Sequence, residues 1–382
     1  MGARVIKVEA PKRDLCREMC PVTSDGEYIG CDDLENPLFD IYNSGKRDIV
    51  IDIKNPKGHE LLMRLLEDAE IFITNTRAKS LRKLKLDHVS VRERFPRLIY
   101  AAITSYGECG SEVDKPGFDS SAFWTRTGFS HDMSMMTGEY YPMNTPTGVG
   151  DSVAGLALCN NILAALIQRG KTGKGDYVHT SLYGAGIYIM GSMIIRAQER
   201  YRSNYPLRRE QCAPTSASFL CKDGRWILVV ILEFDRYGRA YFDAIGLPGI
   251  LQDPRFSTPE EYRKNLPALL AMAEKCFLEK TSDEWVEILS ALDIVCEHNE
   301  GFGDVPNHEQ AWVNEYIEKH SMPGGAQCII PCSPVRMASL SVHGSVPGPL
   351  FAEHTLEILS ELGYSARDID SLVADGAVMT ME

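Results

Sequence analysis

Residues 48–75 read DIVIDIKNPKGHELLMRLLEDAEIFITN, and the fold turns on how this stretch is taken. DIVIDI alternates in the manner of a β-strand. From Pro56 the apolar residues of PKGHELLMRLLEDA recur at helical spacing, with the proline where a helix tolerates it, near its start. EIFITN then returns to strand. A strand, a helix and a strand with short connections are the mark of a parallel α/β unit.

The same pattern continues on both sides. ARVIKVE (3–9) reads as a strand, and LIYAAITSYG (98–107) as another that ends at a glycine, so residues 1–110 form a parallel sheet of the nucleotide-binding kind. SVAGLALCNNILAALIQR (152–169) is a strongly apolar helix, with Asp151 or Ser152 as its N-cap and Gly170 beyond its end. AGIYIMGSMIIRAQERY, after residue 184, reads as one further apolar helix, and the pair belongs at a domain or subunit interface. SNYPLRREQCAPTS (203–216) has linker composition. SFLCKDGRWILVVI is a hairpin about an Asp-Gly turn, followed by helices at about 234–245, 259–279 and 282–292, which together make a smaller α+β region. PGGAQCIIPCSPVRMASL returns as extended chain, and TLEILSELGY and SARDIDSLVADGAV are terminal helices with Thr355 and Ser365 near their starts.

With 382 residues, 44% apolar and 24% charged, the chain can bury a core in two domains without staples. No apolar run approaches the roughly 18 residues of a membrane span, and the MGARVIKVEAP start lacks the layout of a secretory signal, so a cytoplasmic protein is expected. The eleven cysteines include Cys16/Cys20 and Cys328/Cys332, but neither pair has Cys-x-x-Cys spacing or a nearby His, and reduced, idle thiols with no metal are the better reading. A net charge of −13 speaks against nucleic-acid binding while leaving room for a local basic pocket, with Lys46, Arg47, Arg77 to Lys85, Lys115, Lys171 and Lys174 as candidates.

Four stretches in order carry a specific likeness: NSGKRDIVIDIKNPKGHELLMRLLEDAEIFITN, KPGFD, GDSVAGLALCNNILAALIQRGKTGKGDYV and PGPLFAEHTLEILSELGYSARDIDSL. Together they resemble the class III CoA-transferases, the family of carnitine and formyl-CoA transferases. TNTRAKSLRKLKLD and ITSYGECGSEVDKPGFDSSAF are most similar to the branch that acts on aryl-lactates and other 2-hydroxy acids in amino-acid fermentation. The resemblance implies an interlocked homodimer of Rossmann-like large domains with smaller α+β domains, and CoA as co-substrate alongside an acyl-CoA and a small carboxylic acid. On this chain that corresponds to a large domain over 1–202, a linker at 203–216, a small domain over 217–322, and a return linker with C-terminal helices over 323–382 that pack on the large domain. Relatives begin with a further strand and helix, which Met1-GARVIKVE lacks. By position, Asn75 matches a strand-end contact to CoA, Lys83 a basic contact to the nucleotide, and Lys115 a lysine near the CoA phosphates.

In the best-known route of this family an Asp attacks the acyl-CoA carbonyl to give a mixed anhydride. That Asp lies in a V-x-x-S-M-x-D pattern, and here the matching VHTSLYG ends in Gly184. The carboxylate is therefore sought elsewhere: first at Asp151, which aligns with the catalytic Asp of racemase relatives, then at Asp176, with Glu108 and His179 behind them. Racemisation itself is not expected, because the G-H-D motif of those relatives reads Gly117-Phe118-Asp119. A catalytically impaired CoA- or acyl-CoA-binding homologue, or a structural partner of a longer paralogue, remains open, since Gly184 and the glycine-free loop RREQCAPTS both depart from the pattern.

Overall fold

The computed structural model describes residues 2–19, 33–136, 143, 145–201, 205, 208–339 and 346–381. Cys20 and residues 203, 204, 206 and 207 of the expected linker lie outside them. The chain forms two compact units, one of Met1–Ala102, Asn161–Val178 and Gly303–Glu382, the other of Ile103–Asn160 and His179–Phe302.

In the first unit β1 (Ile6–Glu9) and β2 (Arg47–Ile51) pair in parallel, Val8 opposite Ile49. The helix Pro56–Glu67 follows β2 as expected, its start fixed by Asn55, whose side chain accepts from the Lys57 amide, and by the proline in the first turn. A Cβ on Gly58 would lie 2.2 Å from the Asp52 carbonyl oxygen, so this helix can lie against the chain leaving β2 only with glycine there. Leu61 turns into one core with Ile49, Ile51, Ile358 and Leu359, while Leu62, Met63 and Leu66 turn into another with Leu86, Leu98 and Tyr100. One amphipathic helix thus serves two apolar clusters, which accounts for its dense leucine run.

β3 (Ile71–Thr74) pairs in parallel with β4 (Ile99–Thr104), and β5 (Tyr177–Ser181) lies on the other side of β4. The expected parallel α/β architecture is therefore present. Three features were not read from the sequence. The apolar helix runs Val149–Thr172, so Asp151 and Ser152 lie inside its first turn and Gly170 inside its last; Gly148 and Gly173, at φ 84° and 71°, stand at its two ends. By length and composition it is the one helix among the described residues that could cross a membrane, because its mean hydropathy tolerates the Asn160-Asn161 pair that interrupts the apolar run. The helix after β5 is two, Leu182–Ile189 and Gly191–Arg196, parted at Met190, where ψ is 9° and a glycine follows.

In the second unit β6 (Ser216–Leu220) and β7 (Trp226–Val230) form the antiparallel hairpin, with Gly224 at φ 78° in its turn, and β8 (Val295–His298) adds to β7. Helices Phe234–Ala244, Leu266–Phe277 and Ser282–Ser290 supply Phe242, Phe277 and Trp285 to their core, where Phe219 and Phe277 stack at 4.1 Å. The helix expected over 259–279 is instead Pro259–Lys264 and Leu266–Phe277, since Pro267 lacks an amide hydrogen and fits only a helix start.

β9 (Ile317–Ser321) and β10 (Gln327–Pro331) are an antiparallel pair in the first unit, where only extended return chain was expected. Thr355–Glu361 and Ala366–Ala374 are the terminal helices, the second capped by Ser365 and Asp368 reciprocally. β11 (Val378–Met379) then closes antiparallel on β2. Beside β2 the buried Arg17 guanidinium meets Glu9 at 2.8 Å, Asp33 at 3.1 Å and Asp48 at 3.6 Å, with its carbon 4.0 Å from the centre of the Phe39 ring. Ala352 donates its amide to Asp48 at 2.8 Å. Three carboxylates face one cation, and burial together with the neighbouring Glu9 pushes Asp48 up to about 7.

Candidate active site

In the second unit the site begins where β4 and β5 end. Tyr100 donates its amide to Asp176 and Thr104 Oγ1 reaches the Thr180 carbonyl, so the pairing advances in one direction and the strands are parallel. Residues after Thr104 and after Ser181 therefore leave from the same strand ends, the carboxyl ends that open parallel sheets use for ligands. Tyr183 donates its amide to Ser105 there at 3.0 Å.

Ser105 Oγ donates to the Gly117 carbonyl at 3.0 Å, and a Cβ on Gly117 would fall 2.9 Å from the Tyr106 ring. The KPGFD loop is thereby laid flat on the strand end, with the Lys115 ammonium 4.8 Å from the centre of the Tyr106 ring. Glu112 accepts from Lys115 at 2.6 Å and from Arg126 at 3.1 Å, and the lysine's hydrogen bond first, then the charges of both cations, hold its carboxyl below the ordinary value. Two cations gathered by one carboxylate form a local basic spot on an acidic protein.

The next segment, Asp119–Thr125, is a π-helical turn. Asp119 is buried and accepts the Gly148 amide at 2.7 Å, which seats the start of the Val149–Thr172 helix. A Cβ on Gly150 would lie 2.6 Å from the Phe123 ring and 3.0 Å from the Asp119 Cβ, so only glycine permits this approach. Asp151 follows, exposed in the first helical turn. Partial burial, then the Asp119 carboxylate, raise its pKa, although a helix N-terminus alone would lower it. Asp151 is thus not the N-cap that GDS suggested; Gly148, tied to Asp119, takes the place before the helix.

Gly184 is the third residue of Leu182–Ile189, whose N-cap Ser181 accepts the Gly184 amide at 2.9 Å. His179 is exposed on β5 and lies 3.7 Å from Glu108 across the strand ends. Asp176 precedes β5, at the opposite end of the strand from Gly184, where it accepts from the Tyr177 amide and lies 3.7 Å from Arg92. The amino end of a parallel strand is the wrong edge for a ligand by the rule above, which leaves Asp176 the weaker candidate. Asn75, exposed at the end of β3, and Lys83, exposed at the end of the Ala78–Lys83 helix, belong to the first unit. Lys115 and Asp151 share the second. Asp119 was not singled out, and its place in KPGFD was the available signal.

A model of CoA-transferase family III matches residues 1–355. The chain is 35% identical over 372 residues to the (R)-2-hydroxy-4-methylpentanoate CoA-transferase of Clostridioides difficile, covering 97% of this chain and 91% of that protein. It is 33% identical over 383 residues to the cinnamoyl-CoA:phenyllactate CoA-transferase of Clostridium sporogenes, covering 99% and 91%. Among solved structures, Rv3272 of Mycobacterium tuberculosis superposes with a TM-score of 0.76 at 25% identity over 93% of this chain and 91% of that one. A CAIB/BAIF family protein from Brucella suis gives 0.75 at 25% identity, over 94% and 92%.

Proposed function

The chain belongs to CoA-transferase family III and is an acyl-CoA:carboxylate CoA-transferase, and from that premise we propose that its acids are 2-hydroxy acids and that Asp151 is the carboxylate through which CoA moves. Two relatives named for such acids, each matched over nearly the whole chain, support the substrate class. The observation that carries the assignment of Asp151 is its place: an exposed carboxylate of raised pKa, set in a helical turn that Gly148, Gly150 and Asp119 position.

The Asp151 carboxylate attacks the thioester carbonyl and the C–S bond breaks, leaving a mixed anhydride and CoA thiolate. The thiolate adds to the Asp151 carbonyl and releases the first acid as its carboxylate, giving an enzyme thioester. The incoming carboxylate attacks that thioester, and the returning thiolate takes the new acyl group, restoring Asp151. No net proton is consumed. Lys115, with Arg126 beside it, supplies cations for the CoA phosphates, and Asn75 and Lys83 contribute further contacts to CoA.

The working protein is an interlocked homodimer, with a large domain over 1–202 and a small one over 217–322 joined by the stretches at 203–216 and 323–382. Exposed Leu156, Leu163 and Ile167 on the Val149–Thr172 helix support a second copy as their cover. The setting is cytoplasmic amino-acid fermentation.

The test is transfer of CoA from a 2-hydroxyacyl-CoA to a second acid, followed by hydroxylamine trapping and mass spectrometry. Modification at Asp151, with activity lost in Asp151→Ala and kept in Asp176→Ala, is the expected result. Full turnover of an unmodified enzyme would replace the anhydride by direct exchange. CoA binding without any transfer would favour a binding homologue, for which the absence of a carboxylate at Gly184 already speaks.

A further inference from the structure

The second unit contains a cleft of about 210 Å³ between the segment that follows the π-helical turn and the Gly191–Arg196 helix. Phe129, Met133, Met190, Met193, Ile194 and Ala197 supply its apolar lining. Met190 is buried in the same cluster as Phe123, Ala154 and Leu182, which carries the first turns holding Asp151 and Gly184. Along the Leu182–Ile189 helix, Met190 lies about 9 Å from Gly184 at 1.5 Å per residue. The cleft thus shares Met190 with the apolar cluster into which Ala154 and Leu182 pack, three residues after Asp151 and two before Gly184.

Resting on the reading of the preceding subsection, we propose that this cleft receives the side chain of the acyl group and selects an aryl ring. Size supports it: an apolar cavity of about 150 Å³ holds benzene, and this one is larger. Lining supports it as well, since three thioethers and a phenyl ring make favourable contacts with an aromatic guest and adapt to its shape. At the edge, the Tyr205 hydroxyl donates to Asp132 at 2.6 Å. Burial, then this bond, push Tyr205 up to about 12, so its hydroxyl stays a donor to the Asp132 carboxyl at the mouth. The carboxylate of a dicarboxylic acid would find another acceptor there with its donor already engaged, whereas a phenyl group needs no donor.

Ala197 is exposed and accepts a larger side chain without a core rearrangement, so Ala197→Trp fills the cleft from its edge. The ratio of kcat/KM for phenyllactyl-CoA over lactyl-CoA should fall at least tenfold in Ala197→Trp. Met193→Ala should move preference from phenyl- to indolyl-lactyl-CoA by a similar factor, with melting curves confirming that both variants fold. Calorimetry with phenyllactyl-CoA gives a reading independent of turnover, and Kd should rise at least tenfold in Ala197→Trp. Ratios and Kd within twofold of wild type in both folded variants would overturn the proposal. A wild-type protein that transfers no CoA, yet binds phenyllactyl-CoA in a way that Ala197→Trp weakens, would defeat the preceding reading and leave this pocket standing.

Discussion

Ser181 Oγ lies 2.9 Å from the Gly184 amide nitrogen and 2.9 Å from the point where a Cβ at position 184 would sit. Where the matching position carries a side chain, the same hydroxyl-to-amide distance is 3.3 Å for Thr281 with Glu284 and for Ser365 with Asp368, and 3.2 Å for Thr258 with Glu261. The serine has closed in on a position that has no side chain.

Gly184→Asp should therefore be accommodated by a lengthening of this bond toward the distance of the other three caps. The strain is offset by removing a helical glycine, worth about 1 kcal/mol, so the urea unfolding free energy should stay within about 1 kcal/mol of wild type. Combined with Asp151→Asn, Gly184→Asp should recover part of the lost transfer activity by returning a carboxylate to the family's usual place. A double variant as inactive as Asp151→Asn alone would show that position 184 no longer faces the reacting group.

Asp151→Asn should lower kcat by more than about 100-fold with little change in CoA affinity, the pattern for a group acting in the chemical step. Because its pKa is raised, the wild-type rate should climb with pH through a range above that of an ordinary carboxyl. The same shift makes Asp151 favour folding only while protonated, an effect full below its unfolded pKa and lost as pH rises through the folded value. At neutral pH Asp151→Asn should then unfold no earlier than wild type, which a melting curve checks.

Asp48 carries the sign over to the core. Its folded pKa of about 7 lies above the ordinary 3.8, so its contribution to stability is complete below about pH 4 and is lost between there and about pH 7. Urea midpoints measured across that interval should fall with rising pH more steeply in wild type than in Asp48→Asn. Equal slopes would mean that Arg17 neutralises Asp48 fully.

Gly150 and Gly170 lie on one helix and should respond in opposite ways. Gly150→Ala drives a methyl into Phe123 and should cost about 1–3 kcal/mol and displace Asp151, lowering kcat/KM. Gly170→Ala meets nothing within 4 Å and should stabilise by about 0.5–1 kcal/mol with activity intact. Chemical denaturation with parallel assays separates the two.

What could be read in advance was local. Asn55 and Pro56 announce a helix within a few residues of the leucines it buries, and the strands beside it show their own alternation. The start of the Val149–Thr172 helix depends instead on Asp119, far back in the chain, and such a hydrogen bond leaves no periodic trace. β11 is two residues long and belongs to the sheet only because Val378 meets Ile51. At the site, Gly184 could be identified as a departure from the family pattern, but the pairing of Asp119 with the turn beneath Asp151 required the fold.

The junction at Arg17 and Asp48 has a consequence for how the protein is made. β1 and β2 are synthesised well before the segments that complete them: Asp48 accepts the Ala352 amide, and β2 gains its second neighbour only at Val378. Until residues 352 and 378 have left the ribosome, one edge of β2 and the Asp48 oxygen that Ala352 meets lack these partners. The first unit cannot complete its fold until these segments are made, and a ribosome stalled before residue 350 would hold an incomplete and aggregation-prone intermediate.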